Sequence, residues 1–230
     1  MGRRLVIGDI HGGYSALKQC LERSGFNESI DQLICLGDVS DGWPETRECI
    51  DQLMTIPNLV MIKGNHDSLT VEWAKTGIAP EGWMGQGGYA TIDSYAGQIP
   101  DEHLKFLEEA KLYHLSDNQL FVHAGILINT SLEEQDEKIF LWDRSLYRHA
   151  FPHRLEENPP KLTPYDAIYI GHSPINRQGY LHPIQACEVW MMDTGAGWDG
   201  VLSIMDIDTQ EYWTSDLMKE LYPDHLGRYV

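Results

Sequence analysis

Six residues of this 230-residue chain carry the oxygen and nitrogen donors that divalent cations take: Asp9, His11, Asp38, Asn65, His123 and His172. Asp9 and His11 stand two apart, and on an extended backbone that spacing keeps both side chains on one side, where they can share an ion. Asp38 adds a second carboxylate and Asn65 a neutral carbonyl oxygen, while His123 and His172 add imidazole nitrogens. Without a thiolate, this donor set suits manganese, iron or zinc rather than a soft-metal site. Any one of these residues alone is ordinary, because a Gly-Asp pair after a strand usually marks a turn and a lone histidine is usually just hydrogen-bonded. Their recurrence in one kind of context is what carries information.

That context is a short apolar run ending in glycine and a ligand-type residue. Runs at 5–7, 33–36, 59–62 and 167–170 lead to Gly8-Asp9, Gly37-Asp38, Gly64-Asn65 and Gly171-His172, and the run at 120–122 leads directly to His123-Ala124-Gly125. Such bounded runs read as buried strands. Helix-like stretches lie between the early ones, at 14–24, at 44–54 with Pro44 suited to a first helical turn, and at 66–75. The alternation predicts a layered α/β fold, whose ligand sites gather beyond the carboxyl ends of strands, where these pairs fall. Residues 187–214 read as further strands, a second sheet with a hairpin turn at Asp208-Thr209-Gln210. Gly85-Gln86-Gly87-Gly88 reads as a turn before another helix, since it lacks the lysine and hydroxyl of a phosphate-binding loop.

Composition narrows the function. Hydrophobic residues at 42% and charged residues at 23% describe a folded chain of one domain, 1–230. The irregular, acidic and proline-containing stretch 126–164 reads as a flap or insertion. Seventeen Lys+Arg against 35 Asp+Glu give a net charge of −18, which argues against gripping a nucleic-acid duplex. No uncharged apolar run approaches the roughly 20 residues of a membrane helix. Only Leu5, Val6 and Ile7 precede the first glycine-aspartate pair, too few for a secretory leader, and Val6 stands where a myristoylation signal needs a hydroxyl. We therefore expect a cytoplasmic chain with no membrane attachment. Cys20, Cys35, Cys49 and Cys187 form no C-x-x-C pair and are read as reduced packing residues.

The motifs GDIHG (8–12), GDVSDG (37–42), GNHD (64–67), HAG (123–125), GHS (171–173) and DTGA (193–196) occur in that order. In this the chain resembles the calcineurin-like metallophosphoesterases, and within them the phosphoprotein phosphatase branch that includes bacteriophage protein phosphatases and bacterial bis(5′-nucleosyl)-tetraphosphatases. The resemblance implies a four-layer sandwich, two mixed β-sheets flanked by helices. It implies two divalent metal ions, one held by Asp9, His11 and Asp38, the other by Asp38, Asn65, His123 and His172, with Asp38 bridging. Manganese is the first expectation, with iron or zinc as alternatives. Two such ions about 3.5–4 Å apart lower the pKa of a shared water and neutralise charge building on phosphoryl oxygens, so hydroxide attacks phosphorus directly. The resemblance assigns His66 as general acid to the leaving oxygen, oriented by Asp41. Pro174 stands where the nuclease-like branch carries a further histidine.

One departure concerns substrate. The resemblance calls for a phosphate-binding arginine directly after Asp41, where this chain has Gly42. Arg144, in Trp142-Asp143-Arg144, falls where related enzymes carry another substrate-binding arginine and is taken as the replacement clamp. Arg47, Arg148, Arg154 and Arg177 are further donors that read as surface charges, and Trp43 and Trp142 are the tryptophans beside site motifs. The expected substrate is a phosphorylated protein, at Ser/Thr and also Tyr, or a small phosphate ester. Dinucleoside polyphosphate hydrolysis is the alternative. A metal-binding scaffold without activity is disfavoured, because His66 and Asp41 are both retained.

Overall fold

The computed structural model describes residues 2–229. Its strands are β1 (Arg4–Ile7), β2 (Gln32–Cys35), β3 (Leu59–Met61), β4 (Tyr113–Ser116), β5 (Gln119–Val122), β6 (Ala167–Ile170), β7 (Ile184–Ala186), β8 (Val189–Met191), β9 (Ser203–Asp206) and β10 (Tyr212–Thr214). The helices are α1 (Tyr14–Arg23), α2 (Thr46–Met54), α3 (Asn65–Thr76), α4 (Gly88–Ser94), α5 (Asp101–Glu108), α6 (Glu137–Trp142), α7 (Ser145–Ala150) and α8 (Met218–Leu221). Two five-stranded sheets form, in the orders β10-β9-β1-β2-β3 and β4-β5-β6-β8-β7. Both are mixed: β1-β2-β3 and β5-β6-β8 run parallel, and the remaining pairings are antiparallel.

Strand alternation sorts the apolar side chains into three cores. Leu5, Ile7, Leu33 and Cys35 face outward, with the buried residues of α1 and α2 such as Leu17 and Ile50. Leu120, Val122, Ile168 and Ile170 face the other outside, with Phe140 of α6 and Leu146 and Ala150 of α7. Between the sheets lie Val6, Ile34, Val60, Phe121, Tyr169 and Trp190, with the Phe121 and Tyr169 rings stacked at 4.7 Å. Helix, sheet, sheet, helix is the four-layer sandwich the motifs implied.

Two local expectations differ from the structure, and a third segment gains detail. Helix α2 starts at Thr46, so Pro44 precedes its cap residue Glu45 instead of lying in the first turn. The strands of 187–214 do not build a sheet of their own: β8 joins β6, while the β9-β10 hairpin joins β1. Residues 126–164 contain α6 and α7, whose buried side chains cover the second sheet. The turn before α4 and the hairpin turn after β9 lie as expected. Among the described residues, no helix is long and apolar enough to cross a membrane.

Candidate metal centre and acid pair

The ligand-type residues converge because parallel strands of both sheets end at the same place. Asp9 and His11 follow β1, Asp38 follows β2 and Asn65 opens α3 after β3, while His123 follows β5 and His172 follows β6. All six are buried. Ligand atoms of Asp9, His11 and Asp38 lie within 4.8 Å of one another, as do those of Asp38, His123 and His172, so Asp38 belongs to both groups. Asn65 joins the second group through its Oδ1, 2.9 Å from His123 Nε2.

The turns are held in conformations that side chains rarely adopt. His11, Asp38, Asp41 and His172 all have φ between 50° and 72°, the left-handed region, at a cost of about 1–3 kcal/mol each. Asp67 fixes the Asp38 turn: its carboxylate accepts from the backbone N–H of Gly64, Asp38 and Val39, each at 2.9 Å. Asp38 Oδ1 in turn accepts the His66 backbone N–H at 2.9 Å. Glycine is obligatory where the carboxylates meet backbone, since a Cβ at Gly64 would stand 2.1 Å from Asp38 Oδ1 and one at Gly171 would stand 2.0 Å from Asp9 Oδ1.

The histidines turn ring nitrogens inward. His123 Nδ1 donates to Leu36 O at 2.8 Å, which turns Nε2 toward Asn65 and Asp38. His11 Nδ1 lies 3.1 Å from the carbonyls of Ser40 and Asp41, which turns its Nε2 toward Asp38 Oδ2 at 3.7 Å. Burial opposes the His123 charge, yet Asp38 outweighs it and pushes the ring up to about 9. Burial and the His123 charge push His172 down to about 2. Burial and Asp193 raise Asp9 well above the usual carboxylate range, and burial pushes Asp193 itself up to about 6. Asp9 Oδ1 and His172 Nε2 are buried with no partner among the described residues. Each such orphan costs about 1–3 kcal/mol, a cost that a coordinated cation removes. Shared carboxylate, inward ring nitrogens and orphaned ligand atoms together fit a pair of divalent ions.

Beside this cluster, His66 Nδ1 meets Asp41 Oδ2 at 2.6 Å. Asp41 is fully buried and accepts two further bonds, from Trp83 Nε1 at 2.6 Å and Thr91 Oγ1 at 2.7 Å. With Nδ1 committed to Asp41, no described residue bonds His66 Nε2. Arg144 is exposed at the N-cap position of α7, and its Nη2 donates to His172 O at 3.3 Å. Of the other tryptophan and arginine candidates, Trp142 meets His172 edge-on at 6.1 Å. Trp43 is buried, bonded to Ala196 O and stacked on Tyr222, so it packs rather than faces the site. Arg47 faces Asp51, and Arg154 is bound to Tyr180 and Phe151.

Motif reading misses four contributors. Trp83 and Thr91 complete the Asp41 anchor from segments with no ligand-type spacing, and Asp193 lies in DTGA, a motif to which the spacing assigns no chemistry. The fourth is Arg228, whose Nη1 lies 3.3 Å from His11 Nε2 across 217 sequence positions. No local pattern could reveal it.

Residues 2–202 match the family profile of the calcineurin-like phosphoesterases. The chain is 36% identical over 211 residues to serine/threonine-protein phosphatase 2 of Escherichia coli (strain K12), covering 88% of this chain and 91% of that protein. It is 29% identical over 130 residues to the symmetrical bis(5′-nucleosyl)-tetraphosphatase of Nitrosomonas europaea, covering 56% of this chain and 47% of that protein. A crystal structure described provisionally as a diadenosine tetraphosphatase superposes with a TM-score of 0.68 at 18% identity, over 93% of this chain and 92% of that one, which shows the shared fold. Ordered strand-end motifs, a doubly shared aspartate and a match along most of the sequence lead to one assignment: this chain belongs to the calcineurin-like phosphoesterases, metal-dependent hydrolases of phosphate esters.

Proposed function

We propose that this chain is a phosphoprotein phosphatase acting on phosphoserine and phosphothreonine, with phosphotyrosine also accepted. Asp9, His11 and Asp38 would hold one divalent ion and Asp38, Asn65, His123 and His172 a second, with manganese the first expectation and iron or zinc the alternatives. When bound, such ions supply an activated water and neutralise charge on the phosphoryl oxygens.

The chain's own residues complete the reaction. His66 delivers a proton from Nε2 to the leaving oxygen, since Nδ1 is held by Asp41. Asp41, fixed by Trp83 and Thr91, sets the orientation of that ring. Arg144 stands by His172 with guanidinium donors for phosphoryl oxygens. No side chain takes the phosphate covalently.

The observation that carries this reading is the shared Asp38, which bonds the His66 backbone and so seats the proton donor against the carboxylate common to both ion groups. The choice of substrate rests on the match along about nine-tenths of both chains to a protein phosphatase. The half-length likeness to a tetraphosphatase favours dinucleoside polyphosphates as the second reading. Comparing kcat/KM for a phosphopeptide panel with that for diadenosine tetraphosphate decides between them. We expect phosphopeptides to win, and faster cleavage of the dinucleotide would reverse the order.

A further inference from the structure

The segment 223–229 crosses the edge of the site on fixed anchors. The Gly227 carbonyl accepts Tyr89 Oη at 3.1 Å, and the Arg228 backbone N–H donates to Gly197 O at 3.0 Å. Arg228 is half-buried, and its side chain enters along a path with no room for others: a Cβ at Gly42 would lie 3.0 Å from Arg228 Cγ, one at Gly87 3.3 Å from the same atom, and one at Gly197 2.9 Å from Cδ. Its Nε donates to Gln86 O at 3.2 Å, its guanidinium lies over Trp198 at 4.9 Å, and Nη1 reaches His11 Nε2. Three glycines from separate segments thus line one arginine.

No carboxylate of the described residues pairs with Arg228, although the chain carries a net charge of −18. The same holds for Arg144, which stands beside His172 as Arg228 stands beside His11. A half-buried guanidinium with no ion-pair partner, as at Arg228, is unfavourable beside a site for two cations, and becomes favourable when an anion arrives between it and the ions. His11 Nε2 is also the nitrogen turned toward Asp38, the one a cation would take; once it is taken, the Arg228 donors are free. Gly42, in the position where an arginine was expected, leaves the space that Arg228 fills.

We propose that Arg228 is a phosphate-binding residue, closing with Arg144 on the phosphoryl oxygens of substrate and product from opposite sides of the ion site. This deepens the phosphatase reading and rests on it for the word substrate, while phosphate binding itself does not. The test uses the manganese-loaded full chain, with Arg228→Ala, Arg228→Lys and Arg177→Ala. Arg177 also lies over Trp198 but has no polar contact reaching the ion site, so it controls for loss of surface charge.

Inorganic phosphate affinity is read by calorimetry, p-nitrophenyl phosphate hydrolysis by initial rates, and bound manganese by elemental analysis. Arg228→Ala should weaken phosphate binding and raise KM by about 10- to 100-fold, with ion content and melting temperature held. Arg228→Lys should fall between, added ethylguanidinium should partly restore the alanine variant, and Arg177→Ala should match wild type. Unchanged phosphate affinity, a higher kcat/KM in Arg228→Ala, or loss of manganese in step with affinity overturns the proposal. A wild type that binds phosphate through Arg228 yet hydrolyses nothing leaves the clamp standing and removes the phosphatase reading.

Discussion

The two sides of the site are built differently. On the acid side, Asp41 is fully buried and held by His66, Trp83 and Thr91 at 2.6–2.7 Å, and the adjoining turn is pinned by Asp67. On the rim, Arg228 is half-buried and Arg144 exposed, each guanidinium donating to one carbonyl, and Trp142 is 40% exposed. The difference fits the roles proposed for the two sides. A proton donor works only in one orientation, so its supports are redundant and dry. Groups that grip phosphate must admit and release it, and a guanidinium fork tolerates some freedom while doing so.

Substitutions that cross this divide should separate kcat from KM. The largest effect is expected at the shared carboxylate. Asp38→Asn keeps an oxygen for the His66 backbone N–H but removes the charge common to both ion groups. We expect hydrolysis to fall to background and bound metal, measured by elemental analysis, to fall with it.

Next comes the buried acid support. Trp83→Phe removes one bond to a charged carboxylate, worth about 1.5–3 kcal/mol, and should lower both melting temperature and kcat, the latter by about tenfold. KM and metal content should not move. A KM effect without a kcat effect would place Trp83 on the rim instead.

The smallest effect is expected from Arg144→Ala, a KM for phosphate esters raised about tenfold with kcat and ions unchanged. An unchanged KM removes Arg144 from the site.

The strand ends and the turns beyond them were legible because both are local. An apolar run, a glycine and a ligand-type residue are adjacent in sequence, and β6 at Ala167–Ile170 matches its run to the residue. The six ligand-type residues and the His66-Asp41 pair all fall at such strand ends, Asn65 and His66 in the first turn of the helix that follows. Pairing over distance was not legible: nothing near Val189 or Ser203 says that β8 joins one sheet and β9 the other. The same applies to side chains brought in from afar. Trp83 lies 42 positions from Asp41 and Arg228 lies 217 from His11, and only the packed chain makes them neighbours.

The metal-dependent acid mechanism stands most directly on one comparison: hydrolysis of p-nitrophenyl phosphate by the metal-stripped protein, with manganese, iron(II), zinc and magnesium each added back, beside His66→Ala under the same loading. It predicts turnover that depends on added metal and falls by about 10²–10⁴-fold in a variant that binds the same amount of metal. A folded, metal-loaded wild type without turnover contradicts it, as does an equal rate in His66→Ala.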